Sequence, residues 1–283
     1  MKRFVFVADL FSNQYTGGAE LTTEAIITSS SNEVIKINSE NLVEQHIENF
    51  IDCHWFICNF SALTEKNKLL IAKKLNYSII EYDYKFCKYR SPDKHLVIEK
   101  KPCDCVSHNY SKINLIFYGY AKKIWFMSKV QKNIFLENVK TIKKENCEVL
   151  SSIFSKGDLQ FIQNIKDNEK NDTFLILQSD SWIKGTKECI EYAKSKNLKF
   201  ELVKNLPYHE LLIKMSLSKG LIFRPLGGDT CPRICIEAKL LGSELHLNEN
   251  VQHKEEEWFT GDSQQCYDYL SKRTEVFWKY YEK

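Results

Sequence analysis

The feature that most constrains this chain is an alternation, in which short apolar runs are each followed by a segment of helical periodicity. Runs at 4–10, 33–38, 55–59, 77–82, 123–127 and 147–153 alternate with helical patterns over 19–28, 42–50, 62–75, 110–121 and 128–136. In 62–75 the apolar positions are Leu69, Leu70, Ile71 and Leu75, one face of an amphipathic helix. Strands that alternate with helices pair in parallel, because each crossover helix carries the chain back to start the next strand in the same direction. After a polar stretch at 156–172 the alternation restarts. Its strands fall at 173–178, 199–203, 220–223 and 243–247, and its helices at 185–195, 208–216 and 232–241. The expectation is an α/β chain of two Rossmann-like, doubly wound domains facing across a cleft. The first spans 1–155 and the second 156–262. A terminal amphipathic helix at 266–281, within the segment 263–283, returns to the first. The pattern lapses only between 83 and 105.

Composition narrows the function classes. With 43% hydrophobic residues, 27% charged residues and only 10 Gly and 5 Pro in 283 residues, the chain is neither low-complexity nor disordered. A net charge of +3 gives no global argument for nucleic acid. The apolar start at 4–10 is interrupted by Asp9 and reads as a first buried strand rather than a signal peptide. No run approaches the ~18 uncharged apolar residues of a membrane span. Ten scattered cysteines in a chain of this size read as reduced thiols of a cytoplasmic protein. Cys103-Asp104-Cys105 with His108 is the tightest cluster, but its C-x-C spacing lacks a second pair, and no metal is expected there.

Loops after predicted strands carry the chemistry. Thr16-Gly17-Gly18-Ala19-Glu20 follows the first strand and opens a helix. Its glycines permit close backbone approach, and its helix start favours an anion. Ser181-Trp182-Ile183-Lys184-Gly185 follows the first strand of the second half and offers a lysine to a phosphate. Arg224-Pro225-Leu226-Gly227-Gly228-Asp229-Thr230-Cys231-Pro232-Arg233 follows a third strand. There Asp229 or Thr230 can cap the next helix, Pro232 suits its first turn, and the free amides with Arg233 can take a pyrophosphate. Glu237, one turn past Arg233 in an apolar helix, needs a partner, and a ribose diol suits a carboxylate acceptor. The stretch 84–101 holds six Lys or Arg against two acids, with Tyr84, Phe86 and Tyr89 among them. It reads as a solvated loop with a few packed rings or as a grip for an anionic, ring-bearing acceptor. Residues 248–259 read as an acidic surface turn with Trp258 and Phe259 packing inward.

Together these loops resemble the retaining GT-B glycosyltransferases of the glycogen-synthase and sucrose-synthase type, over most of the chain. Gly17-Gly18 with Glu20 is similar to that family's GGAE loop, Lys184-Gly185 to its KG element, and Asp229 with Glu237 to its E-x7-E motif. The resemblance implies transfer of a sugar from a nucleotide-sugar donor, with retention and without a metal or other cofactor. It implies that Gly17 and Gly18 approach the donor phosphate and that Lys184 and Gly185 bind the diphosphate. Asp229 and Thr230 would lie near the donor sugar, with Glu237 on the ribose. Lys184, Asp229 and Glu237 are the expected catalytic group. Gln178 and Ser179 stand where the family carries an arginine, so Arg233 or Arg224 is expected to supply the second phosphate charge. Glu81-Tyr82-Asp83 resembles the strand end where the family often has His-Asp, with Tyr82 in place of the histidine. Tyr82, Asp83, Lys85 and Arg90 are the expected acceptor residues. The acceptor is expected to be a glycan, a lipid-linked sugar reached by peripheral membrane contact, or another hydroxyl compound. The alternatives are a non-catalytic nucleotide-binding protein of the same fold and a glycosyltransferase acting on modified DNA.

Overall fold

The computed structural model describes residues 2–281. The chain divides into two units, residues 1–153 with 277–283 and residues 154–276. The strands of the first unit are β1 (Arg3–Ala8), β2 (Glu33–Asn38), β3 (His54–Ile57), β4 (Asn76–Glu81), β5 (Lys123–Phe126) and β6 (Cys147–Val149). They form one sheet in the order β2-β1-β3-β4-β5-β6, with every pairing parallel. Successive side chains of a strand point to opposite faces, and here both faces are covered. Val5, Val7, Trp55, Ile57, Tyr77, Ile79, Ile124 and Phe126 join the main core. Phe4, Phe56 and Trp125 meet the rings of Phe277, Trp278 and Tyr281 on the other side. Two faces of burial explain why these strands read as continuous apolar runs.

The chain end is held by polar handles as well as by rings. The Trp125 indole donates to the Tyr281 hydroxyl at 2.7 Å, which donates to Ser78 Oγ at 2.9 Å, and the Trp278 indole donates to the Ile26 carbonyl at 3.1 Å. Burying three such rings contributes about 1.5–3 kcal/mol each. The expected single terminal helix is in fact two, Ser263–Ser271 and Arg273–Lys279, broken at Lys272. Residues 263–276 belong to the second unit, and the return to the first starts at 277 rather than 263.

The second unit holds β7 (Phe174–Leu177), β8 (Phe200–Val203), β9 (Gly220–Phe223) and β10 (Glu244–Leu247), all parallel in the order β10-β9-β7-β8. Helices start where the sequence supplies caps. Thr64 accepts from Asn67 N–H, Ser128 from Gln131 N–H and Ser155 from Asp158 N–H. Each sheet reverses its winding once, between β1 and β3 in the first unit and between β7 and β9 in the second. Loops at the carboxyl ends of such neighbours splay apart and leave a crevice for ligands.

Two expected surface loops are built into the interior instead. Between β4 and β5, Ser91 caps a helix at Pro92–Glu99, with Pro92 in its first turn. Tyr84, Lys85, Phe86 and Cys87 are all buried, so the basic stretch is not a solvated loop. This folding brings Cys87 and His95 against Cys103 and Cys105, the pair that sequence spacing left without companions. In the second unit Asn248, Val251, Gln252, His253 and Glu256 are buried with Trp258 and Phe259, so 248–259 is not a surface turn. The reason is the loop after β9, which this segment pairs with and supports.

Candidate functional site

In the second unit the loops at the reversal between β7 and β9 are zipped together. Leu226 N–H donates to the Ile183 carbonyl at 3.0 Å. A short 3-10 turn, Trp182–Lys184, is closed by Gly185 at φ +59°. A Cβ at Gly185 would collide with the Arg224 carbonyl oxygen. Both the left-handed backbone and the contact between loops therefore demand glycine. Thr186 Oγ1 donates to the Leu177 carbonyl at 3.0 Å and accepts from Ser179 N–H, which ties the loop to its strand.

This frame aims Lys184 at Asp229. Lys184 Nζ lies 2.7 Å from Asp229 Oδ2, with 30% of the lysine side chain exposed. Asp229 is fixed from behind by a one-residue parallel bridge to Val251. Its N–H donates to the Asn250 carbonyl at 2.8 Å, and its carbonyl accepts from Gln252 N–H at 3.1 Å. Asn248 and Asn250 side chains both donate to the Pro225 carbonyl. Pro232, rather than Asp229 or Thr230, holds the N-cap position of the following helix. That helix runs Arg233–Leu240. Thr230 is buried beside Asp229 in the same loop.

Glu237 and Arg233 form a second pair, deeper in the same unit. Glu237 is 2% exposed. Its Oε1 accepts from the Tyr208 hydroxyl at 2.9 Å and from Arg233 Nε at 3.3 Å. Arg233 Nη2 also donates to the Tyr208 hydroxyl at 2.9 Å, and the guanidinium lies 3.8 Å from the Phe154 ring centroid. Burial pushes the Glu237 carboxyl above its ordinary value, opposed by Arg233 and Tyr208. The carboxylate thus has protein partners of its own. Arg233 is engaged by Glu237, Tyr208 and Phe154. Arg224 stacks over the Tyr192 ring at 4.3 Å and donates to the Leu247 carbonyl at 3.2 Å. Lys184 and Arg224 are both partly exposed, and Lys184 is the one paired with Asp229.

In the first unit the reversal lies between β1 and β3. Gly17 caps the helix Gly18–Thr28 in extended conformation, and a Cβ there would collide with the Glu20 carboxylate and the Tyr15 ring. Glu20 is buried, which raises its carboxyl above the ordinary value. Tyr82 turns to Thr23, hydroxyl to hydroxyl at 2.7 Å. Asp83, Lys85 and Arg90 come together as expected, but as one self-neutralised cluster with Glu81. Lys85 Nζ lies 2.8 Å from Glu81 Oε1 and 2.9 Å from Asp83 Oδ1. Arg90 Nε lies 2.6 Å from Asp83 Oδ2. Tyr118 donates to Glu81 Oε2, and Gln131 donates to the Glu81 and Asp83 carbonyls. Burial pushes Glu81 up, only partly opposed by Lys85. Burial acts to raise Asp83 as well, but Lys85 and Arg90 outweigh it and hold it below its ordinary value.

Beside this cluster a cavity of about 200 Å³ is lined by Phe60, Lys68, Lys85, Arg90, Tyr110 and Asn114, among others. Lys68 is a residue that sequence reading passed over. It is buried, it donates to Asn114 Oδ1 at 3.0 Å, and burial lowers its amino group from the ordinary value. Its signal was its position: Lys68 shares a helix face with Ile71 and Leu75, the buried face. Tyr208 and Asn250 left no such signal, since their partners are distant in sequence.

No protein-family model matches the chain, and no curated protein matches it. Solved structures do. The trehalose-6-phosphate synthase OtsA superposes with a TM-score of 0.60 at 8% identity, over 96% of this chain and 91% of that one. HepE from Anabaena, solved with UDP and glucose, gives 0.57 at 11% identity over 96% and 89%. The sucrose-phosphate synthase from Thermosynechococcus elongatus gives 0.56 at 7% identity over 96% and 89%. At these identities the likeness is one of fold: two parallel-sheet α/β domains of the GT-B type.

Proposed function

We propose that this chain is a glycosyltransferase that takes a sugar from a nucleoside-diphosphate sugar. The observation that carries the reading is the Lys184–Asp229 pair, held at the strand reversal of the second sheet in a GT-B fold. HepE, which shares the fold, was solved with UDP and glucose. Breaking the bond between sugar and diphosphate builds negative charge on the leaving phosphate and oxocarbenium character on the sugar. Lys184 supplies a preorganised positive charge to that phosphate, and the helix start at Arg233 adds its amides. Asp229 holds Lys184 before the donor arrives and then takes donor-sugar hydroxyls. An ionised carboxylate has about four acceptor positions. Glu237 therefore takes ribose hydroxyls in addition to Tyr208 and Arg233. Gly17 and Gly18, at the start of the helix after β1, are suited to close approach by an anionic group.

The acceptor belongs to the cavity of the first unit. Lys68 has no ion pair among the described residues, so an acceptor bearing an anionic group, such as a sugar phosphate or a lipid-linked phosphate, complements it. Tyr82, Asp83, Lys85 and Arg90 shape that pocket's wall or its support. Transfer proceeds with retention and without a metal at the reacting bond. All ten cysteines are free, as in a reducing cytoplasm. No helix among the described residues is long and apolar enough to cross a membrane.

The test is release of nucleoside diphosphate from a panel of nucleotide sugars, with and without phosphorylated acceptors. Turnover that disappears in Lys184→Ala and Asp229→Ala supports the reading. Nucleotide binding with no turnover on any acceptor sinks it in favour of a binding protein. An inverted product, read by NMR, sinks retention alone.

A further inference from the structure

Cys87, His95, Cys103 and Cys105 form a cluster next to the first unit's cavity, which Cys87 also lines and the other three do not. One ligand atom from each falls within 4.8 Å of all the others. Cys87 Sγ is 3.9 Å from Cys105 Sγ and 3.9 Å from His95 Nδ1, and Cys105 Sγ is 3.3 Å from His95 Nδ1. A tetrahedral zinc with Zn–S of about 2.3 Å and Zn–N of about 2.0–2.1 Å spaces its sulfurs about 3.8 Å apart and sulfur from nitrogen about 3.6 Å. The two sulfur–nitrogen spacings fall on either side of the second value, and the sulfur–sulfur spacing lies close to the first. We propose that these four residues bind one structural zinc ion as a closed Cys3His site.

The surroundings fit that assignment. The His95 ring is buried, and with Nδ1 turned to the sulfurs its Nε2 has no hydrogen-bond partner. Asp104 Oδ1 faces that nitrogen at 3.6 Å. Metal-bound histidines commonly present their second nitrogen to a carboxylate in this way, which fixes the tautomer. Lys88 N–H points to Cys105 Sγ at 3.5 Å, the kind of donor a coordinated thiolate accepts. Two soft thiolates and an imidazole in the core, with a third thiolate at its margin, select zinc over calcium or magnesium. On binding, the three thiols release their protons to solvent and four protein ligands fill the coordination sphere, so no position is left open for catalysis. His108, adjacent in sequence, is not part of the set and pairs with Asp104 at 3.3 Å instead.

The site also has a structural task. Cys87 and Cys105, 18 positions apart, close an excursion that follows β4. Within it, three residues past Cys87, Arg90 holds a left-handed φ of +57° and bonds Asp83. The ion ties both ends of the segment whose Arg90 and Lys88 line the first unit's cavity.

This proposal is independent of the glycosyl-transfer reading. The full chain, produced with zinc in the medium and desalted, should carry one zinc per chain by elemental mass spectrometry. An organomercurial should release that zinc into a colorimetric indicator. Cobalt-grown protein should show the visible bands of a tetrahedral ion with thiolate charge transfer. His108→Ala should keep the metal, Cys105→Ser and His95→Ala should lose it, and His95→Cys should keep zinc while its cobalt bands shift to those of a four-thiolate site. Zinc removal should raise amide exchange over 87–105 and leave the second unit's exchange unchanged. Wild-type protein free of zinc, a disulfide among these cysteines, or zinc fully retained in both Cys105→Ser and His95→Ala overturns the site. If Cys105→Ser and His95→Ala do not fold, the wild-type metal content and the His95→Cys spectrum decide.

Discussion

Two lysines close parallel strands in this molecule, and they occupy opposite environments. Lys85, after β4, is 5% exposed and lies between Glu81 and Asp83, with Tyr118 and Arg90 completing the cluster. Lys184, after β7, meets the single carboxylate of Asp229 and keeps 30% of its side chain in solvent. Composition alone does not separate these groups, since both pair lysine with carboxylate in a strand-end loop. Burial separates them. A buried cation with two carboxylates is held by charges that cannot be solvated if it leaves. A half-open pair can exchange its partner for an incoming phosphate with little reorganisation.

Substituting each lysine is the strongest way to break the comparison. Lys85→Ala leaves Glu81 and Asp83 short of a counter-charge and should cost about 3–5 kcal/mol of stability in urea unfolding. Lys184→Ala should cost under about 1 kcal/mol of stability, because its pair is partly exposed. It should instead lower kcat roughly 100- to 1,000-fold, the range for loss of one preorganised group at a developing charge. An unfolded Lys184→Ala chain, or a stable Lys85→Ala chain, would erase the distinction.

Each unit also holds a histidine kept neutral by its surroundings, His54 half-buried and His253 buried, and acid reads both. Burial lowers His54 from 6.5 to about 4 and His253 from 6.5 to about 3. The unfolded chain takes up these protons below about pH 6.5 while the folded chain refuses them. Stability is therefore whole above pH 6.5 and declines as pH falls toward 4 for His54 and 3 for His253. The His54 part amounts to about 3 kcal/mol, and His54→Gln should flatten the slope of urea midpoint against pH. A slope unchanged in that variant would show that His54 does not titrate as its burial implies.

Glycine substitutions give a smaller effect and sharpen the contrast between loops. Gly185→Ala must hold a left-handed φ and displace the Arg224 carbonyl, so about 1–3 kcal/mol of stability should go. Gly17→Ala meets the ends of two side chains that can move, and a smaller loss is expected. Thermal midpoints of the two variants, measured side by side, check the order.

Much of the fold was legible before the structure. The apolar runs became strands because a parallel sheet covered on both faces demands them, and Thr64, Ser128 and Ser155 cap helices as local chemistry dictates. Lys184 and Asp229 were legible as strand-end residues, and Gly185 as the glycine beside them. What could not be read was partnership. Glu237 was seen to need a partner, but not that Tyr208, 29 residues earlier, donates to it beside Arg233. The segment 248–259 looked like surface because its acids are many, while its task is to brace Asp229. Cys103 and Cys105 seemed alone because their companions lie on and before a helix, Pro92–Glu99, that the sequence pattern did not announce: His95 is on it and Cys87 precedes it.

The sequence by itself determined the elements, their parallel pairing and the loops that carry charge, because periodicity, caps and glycines act over one or two helical turns. Tertiary structure alone decided which charges neutralise each other and which stay available. Strand order sets those distances, and burial sets what each unpaired charge costs. For that reason Lys85 and Lys184, alike in sequence, came to be a buried cation between two carboxylates and a half-open one with a single carboxylate.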